Sequence, residues 1–263
     1  MAEAEILLAV RDGVAHIQLN RPGKRNALSA AMRSALWQAI DQVAADDQAK
    51  VLLLSGSGEH FCSGGDIAEM RPGELDAEAG KARITPVARG AERLLELPKP
   101  VVVAIDGCAY GAGCSLALTG DYVIATERVR FCMSFLRLGL VPDAAGLYTL
   151  ARCVGWVRAK DLFYTTREVG GAQALGYGMV SELAAPESLH ARARQVALAL
   201  AQLPPVAFSL VKSALLRTSS AELGSMREAE IQGQAIAYTT DYHAEAVRKM
   251  RAGSGLDFQW PPP

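Results

Sequence analysis

A chain of 263 residues, half of them hydrophobic, is long enough to bury a sizeable core, and no charged block marks a disordered tail. Its 27 basic residues nearly cancel 28 acidic ones, and a net charge of -1 gives no electrostatic footprint for nucleic acid or an anionic membrane surface. The five cysteines form no C-x-x-C pair, the N-terminus has no basic stretch ahead of a long apolar run, and no run of about 18 apolar residues occurs, so a soluble cytoplasmic protein with free thiols is expected.

Residues 5–10 and 14–20 (VAHIQLN) read as two short strands joined by an Arg11-Asp12-Gly13 turn. ALSAAMRSALWQAIDQVAADD has helical spacing with Ser29 as its N-cap, and KVLLLSG is a buried strand ending in glycine. A polar, glycine-rich loop runs through Gly65 into a short helix from about Asp66. TPVARGAERLLEL is a helix stopped by Pro98 and Pro100, followed by the buried strand PVVVAIDG and a helical GAGCSLALTG. DYVIAT and VRFCM are further strands. From about residue 144 helices dominate: AGLYTLARCVG, VRAKDLFYTT, PESLHARARQVALALAQL, PPVAFSLVKSALLRT and a long segment from Glu222 to Met250, before an extended tail. Buried strands alternating with helices imply a largely parallel α/β core, with the amphipathic C-terminal helices covering it or another subunit.

Two loops carry the chemistry. VVVAIDGCAYGAGCSLALTG has the strand–glycine–helix order of a dinucleotide fingerprint, but Leu116 stands where a third small residue belongs and Met133 where an acid belongs, so that reading fails. What Gly111, Ala112 and Gly113 offer instead is free backbone N–H groups at a helix start, which favour negative charge. Ser63-Gly64-Gly65-Asp66 is a second loop of this kind, with Asp66 as its capping acid. Adjacent parallel strands bring both to the carboxyl end of the sheet, where two convergent amides make an oxyanion hole.

Five segments in order, GKRNALS, FCSGGDIAEM, KPVVVAIDGCAYGAGCSLAL, LGLVPDAAG and GAQALGYGMVSEL, resemble the enoyl-CoA hydratase/isomerase (crotonase) family over nearly the whole chain. The resemblance implies the ClpP/crotonase-like fold of repeated ββα units over residues 1–200 and a C-terminal helical trimerisation region over 201–263. It further implies a homotrimer or dimer of trimers, an acyl-CoA thioester substrate, no metal, and no tightly bound cofactor beyond the coenzyme A of the substrate. In that pattern the oxyanion donors are the Gly65 and Ala112 amides. The coenzyme A portion contacts the loop of Lys24, Arg25, Asn26, Ala27 and Leu28 and the backbone around Cys62, Gly64 and Ile67, and Lys249 and Arg251 are candidates for its phosphates across a subunit boundary.

The hydratases of that family use two glutamates, and here those positions hold Ser115 and Phe135. Neither titrates near neutral pH, whereas water addition needs both a base and an acid. Asp143 remains. It reads either as the N-cap of a helix starting near residue 144 or, by resemblance to the isomerase-like members with an L-V-P-D motif, as the acid/base that moves a proton between carbons. An enoyl-CoA isomerase, acting on a double bond or a ring, is therefore expected. A hydratase-like lyase with atypical residues, or a CoA-binding oligomer subunit without catalysis, stands as the alternative. Tyr110 and Tyr148 are candidates for the acyl pocket or for core packing. His16, His60, His190 and His243 lack metal-ligand spacing, which favours packed or solvated rings.

Overall fold

The computed structural model describes residues 4–69 and 77–218, together with Asp241, Glu245 and Ala252. β1 (Ile6–Arg11) and β2 (Val14–Leu19) form an antiparallel hairpin, turned by Asp12 and Gly13, both at positive φ. That pairing matches the twist of the flanking strands and explains an Asp-Gly pair there. α1 (Ala30–Ala45) opens at Ser29, whose hydroxyl accepts the Met32 amide at 3.0 Å. β3 (Val51–Gly56), α2 (Ala77–Glu96) and β4 (Val101–Ile105) follow. Next come β5 (Cys108–Tyr110), α3 (Ala112–Ala117), β6 (Tyr122–Thr126) and β7 (Arg130–Cys132). The remaining elements are α4 (Gly146–Val154), α5 (Trp156–Thr165), β8 (Val169–Gly170), α6 (Gly171–Tyr177), β9 (Glu182–Ala184), α7 (Leu189–Leu200) and α8 (Pro205–Arg217).

The main sheet has the order β1-β2-β3-β4-β6-β9, parallel from β2 onward, and a small sheet pairs β5, β7 and β8. Every residue of β3 and β4 is buried because both faces are covered. Leu52, Leu54, Val101, Val103 and Ile105 point into the larger core with α1 and α2; the alternate residues Val51, Leu53, Val102 and Ala104 meet Leu189, Ala193 and Val196 of α7. The period of two along each strand thus sorts one apolar run into two cores.

Helix α2 begins at Ala77 rather than at Thr85, so Pro86 lies inside it. A Thr-Pro pair looks like a helix start because proline suits the first helical position. Here the turns upstream form regardless, and the Thr85 hydroxyl donates to Lys81 O at 2.8 Å. Among the described residues no single helix is long and apolar enough to cross a membrane. The helix expected over Glu222–Met250, the tail after it, and Lys249 and Arg251 lie outside the described residues.

α8 is tied to the sheet by an ion pair. Lys212, 7% exposed, donates from Nζ to Asp121 Oδ2 at 2.6 Å, and that oxygen also accepts the Val101 amide at 2.8 Å. Burial pushes the Asp121 carboxyl up and the Lys212 amine down, each opposed by the other's charge. Removing Lys212 leaves the Asp121 carboxylate, its side chain 27% exposed, partly shielded and without its counter-charge. Lys212→Met is expected to lower unfolding stability by about 1–2 kcal/mol, the size of one charged hydrogen bond to a partly exposed carboxylate. Adding Asp121→Asn, which needs no counter-charge and still accepts from Val101, should restore at least half of that loss in a urea titration of the double variant.

Candidate functional site

The loops that leave β3 and β4 run side by side. Cys62 N donates to Cys108 O at 3.0 Å and Tyr110 N to Cys62 O at 2.9 Å, so Phe61–Gly65 lies alongside β5 as an added extended segment. On its other side Leu28 N donates to Gly64 O at 2.8 Å and Asp66 N to Leu28 O at 3.2 Å. These bonds fix the peptides around Gly65 yet leave its own amide without an acceptor among the described residues. Gly111, at φ 50°, turns the chain from β5 into α3, and the N–H of Ala112, first residue of that helix, is likewise without an acceptor there. The two segments pass closely: a Cβ on Gly64, itself at φ 96°, would stand 2.7 Å from Tyr110 O and 3.6 Å from Ala112 N. Only glycine fits at 64.

Asn26 holds the third strand of this bracket. Fully buried and at φ 54°, it accepts the Arg21 amide at Oδ1 (2.8 Å) and donates from Nδ2 to Ser57 O (2.9 Å) and His60 O (2.7 Å). Asparagine is among the few residues that take this left-handed backbone readily. His60 in turn accepts the Cys108 amide at Nδ1 (3.2 Å), a packing role.

Gly65 and Ala112 open onto a cavity of about 690 Å³ whose wall also contains Asp143. The carboxyl of Asp143 does not cap a helix. Ala144 and Ala145, at φ 48° and 63°, carry the chain on so that α4 starts at Gly146, with Ala145 as an N-cap lacking a side-chain bond. Asp143 contributes only its carbonyl, which accepts the Gly146 amide at 2.9 Å. The Gly146 amide is taken by the Asp143 carbonyl rather than by its carboxyl, and α4 is capped at Ala145, which corrects the N-cap expectation. Its Oδ1 is buried with no partner among the described residues. Burial pushes the carboxyl up to about 6, against the pull of the Arg33 guanidinium. Asp66, also in the wall, is committed elsewhere: Oδ1 accepts the Ala68 amide (3.1 Å) and Oδ2 pairs with Arg21 (3.0 Å).

Ser115 is fully buried behind the wall, its hydroxyl unpartnered among the described residues, and Phe135 presents its ring in the wall. Of the residues expected along the coenzyme A portion, Leu28, Gly64 and Ile67 line the cavity. Lys24 and Arg25 are exposed beside it, while Ala27 and Cys62 are buried and absent from the wall. Burial pushes the Cys62 thiol up to about 12, so it carries no thiolate near neutrality. Tyr110 and Tyr148 are not in the wall either; they donate to Glu168 Oε1 and Leu216 O, each at 2.5 Å. Among the lining residues that went unread in the sequence are Arg33 and Trp37 of α1, and Arg83 of α2. Arg33 and Trp37 stand four apart and so share a helix face, the one signal that could have found them.

The raised Asp143 has a stability consequence. Its folded value near 6 lies above the ordinary 3.8 of an aspartate, so its contribution is complete below about pH 4 and is lost as pH rises through 6. Asp143→Asn is expected to melt a few degrees above wild type at pH 8, the advantage disappearing at pH 4, in paired thermal scans. An equal shift at both pH values would place the carboxyl in solvent.

The family model described as Enoyl-CoA hydratase/isomerase matches residues 9–250. The 1,2-epoxyphenylacetyl-CoA isomerase of Escherichia coli K12 is 34% identical over 258 residues, 96% of this chain and 97% of that protein. A protein called probable enoyl-CoA hydratase, from Rhodobacter capsulatus, is 35% identical over 240 residues, 89% and 90% of the two chains. The crystal structure of an enoyl-CoA hydratase/isomerase from Cupriavidus metallidurans CH34 superposes with a TM-score of 0.95 at 34% identity, covering 100% of this chain and 99% of that one.

Proposed function

The chain belongs to the enoyl-CoA hydratase/isomerase family and has the crotonase fold, and from that premise we propose that it is an enoyl-CoA isomerase acting on a double bond or a ring, with Asp143 as acid/base and the Gly65 and Ala112 amides as oxyanion donors. The observation that carries the reading is the Asp143 carboxyl. It shares one cavity with both free amides, caps nothing, has one oxygen unpartnered among the described residues, and titrates near 6, where a carboxyl can both take and return a proton at neutral pH.

In this reading a proton leaves C2 of a 3-enoyl thioester for Asp143 while the bonding electrons move onto the thioester oxygen. The two amides hold that oxygen as it becomes an enolate. The same carboxyl then returns the proton at C4, leaving the double bond conjugated at C2. One oxyanion donor contributes roughly 10²–10³ in rate and a placed base about 10²–10⁴, enough without a second acid. Hydration would need a further titrating group on the water, and neither Ser115 nor Phe135 supplies one. The coenzyme A portion of the substrate runs past Leu28, Gly64 and Ile67, with Lys24, Arg25, Ala27 and Cys62 around it, and assembly as a homotrimer or dimer of trimers belongs to the same reading. The non-catalytic alternative has no use for a buried carboxyl freed from capping.

The test offers the protein a 3-enoyl-CoA and follows the conjugated product by ultraviolet absorbance. Turnover without hydration of a 2-enoyl-CoA is expected, with kcat/KM falling tenfold per pH unit below about 6, since the base must be ionised in the free enzyme. Hydration at a comparable rate would overturn the reading. Ala112→Pro removes one amide donor at a helical position that tolerates proline, and kcat should drop roughly 10²–10³-fold.

A further inference from the structure

The cavity holds more cationic donors than its own acceptors satisfy. Arg33 and Arg83 both stand in its wall. The Arg33 side chain is only 17% exposed and carries five N–H donors, of which one is bonded among the described residues, Nη1 to Leu28 O at 2.7 Å. Its nearest carboxylate, Glu69, lies at 3.9 Å, beyond hydrogen-bond reach, and the Glu69 Oε2 involved already accepts the Ala30 amide at 2.8 Å. Among the described residues Arg83 reaches Glu69 O, at 3.4 Å. None of the Arg33 nitrogens is among the sealed polar atoms that lack a partner, and the residue stands in the cavity wall. Asp66 is held by Arg21, and no ion pair joins Arg33 to Asp143 among the described residues. Burial and the neighbouring Arg83 both weigh against the Arg33 charge, which an incoming anion would relieve.

We propose that the preferred acyl group ends in a carboxylate beyond its reacting carbons, and that Arg33 binds it with Arg83 as the second cation. A planar guanidinium with adjacent free N–H groups matches a carboxylate fork, and the site is shielded enough for that match to matter. Leu116, Phe135 and Val141 of the same wall cover the carbon chain between the two charged ends. Asp143 then works beside an anion already neutralised by Arg33. The proposal rests on the acyl-CoA part of the function argued above, not on its isomerase chemistry.

Equilibrium binding separates the two. Adipoyl-CoA and hexanoyl-CoA are saturated, do not isomerise, and differ only in a terminal carboxylate. Calorimetric titration of the full chain is expected to give roughly 10-fold tighter binding of adipoyl-CoA, the size of one charged hydrogen-bonded contact. In Arg33→Met that ratio should fall to within about twofold of one, and Arg33→Lys should keep part of it. Equal affinity of the wild type for both esters, or an equal loss for both in Arg33→Met, overturns the proposal; the second outcome would assign the guanidinium to the shared coenzyme A portion. Binding of neither ester would sink the acyl-CoA reading as well, whereas a preserved ratio with no isomerase turnover would sink only the isomerase chemistry.

Discussion

Everything at the site depends on one piece of backbone pairing: the segment around Cys62 zipped onto β5. β3 and β4 lie parallel and in contact, so their C-terminal loops emerge together. Cys62 then bonds β5 through both its N–H and its carbonyl, and Leu28 and Asp66 close the other edge. Amides that alternate along such a ladder are either paired or left out. Among the described residues Gly65 and Ala112 are left out, one because the ladder passes it and one because it opens a helix. On the proposed reading, two amides fixed in this way beside one cavity need no reorganisation when charge appears before them.

The Asp143 carboxyl opposes this arrangement and completes it. The donors favour negative charge; the mainly apolar wall disfavours it on Asp143 and lifts its value to about 6. A carboxyl that is uncomfortable when ionised takes a proton more readily, and on the proposed reading a mainly apolar wall would strengthen the amides that stabilise the enolate. The buried oxygen of Asp143, without a partner among the described residues, is a local cost to folding that the proposed reading explains by a reacting group.

Much of this was legible in the sequence. The apolar runs VLLLSG and VVVAI announced buried parallel strands, Ser29 announced a cap, and the two glycine loops announced paired helix starts. What stayed hidden has physical reasons. β5 is three residues long and exists only through its pairing with β7 and the Cys62 segment, which no local propensity encodes. Asp143 looked like a cap because alanine rarely takes left-handed backbone, and here two do in succession, at 144 and 145. Thr85-Pro86 imitated a helix start inside α2. Arg33 and Arg83 reach the same cavity from two helices 50 residues apart in number, a meeting that depends on packing alone.

The central claim is that Asp143 itself carries the proton. Wild type and Asp143→Asn should be incubated with saturating 3-enoyl-CoA in D2O, and deuterium at C2 and C4 of the acyl group followed by NMR. The account predicts that wild type converts the substrate, with solvent deuterium entering these carbons to the extent that the proton held by Asp143 exchanges between its two transfers, while Asp143→Asn neither converts it nor incorporates deuterium above background. Incorporation by Asp143→Asn at the wild-type rate would contradict it, and would move the acid/base to another group in the cavity.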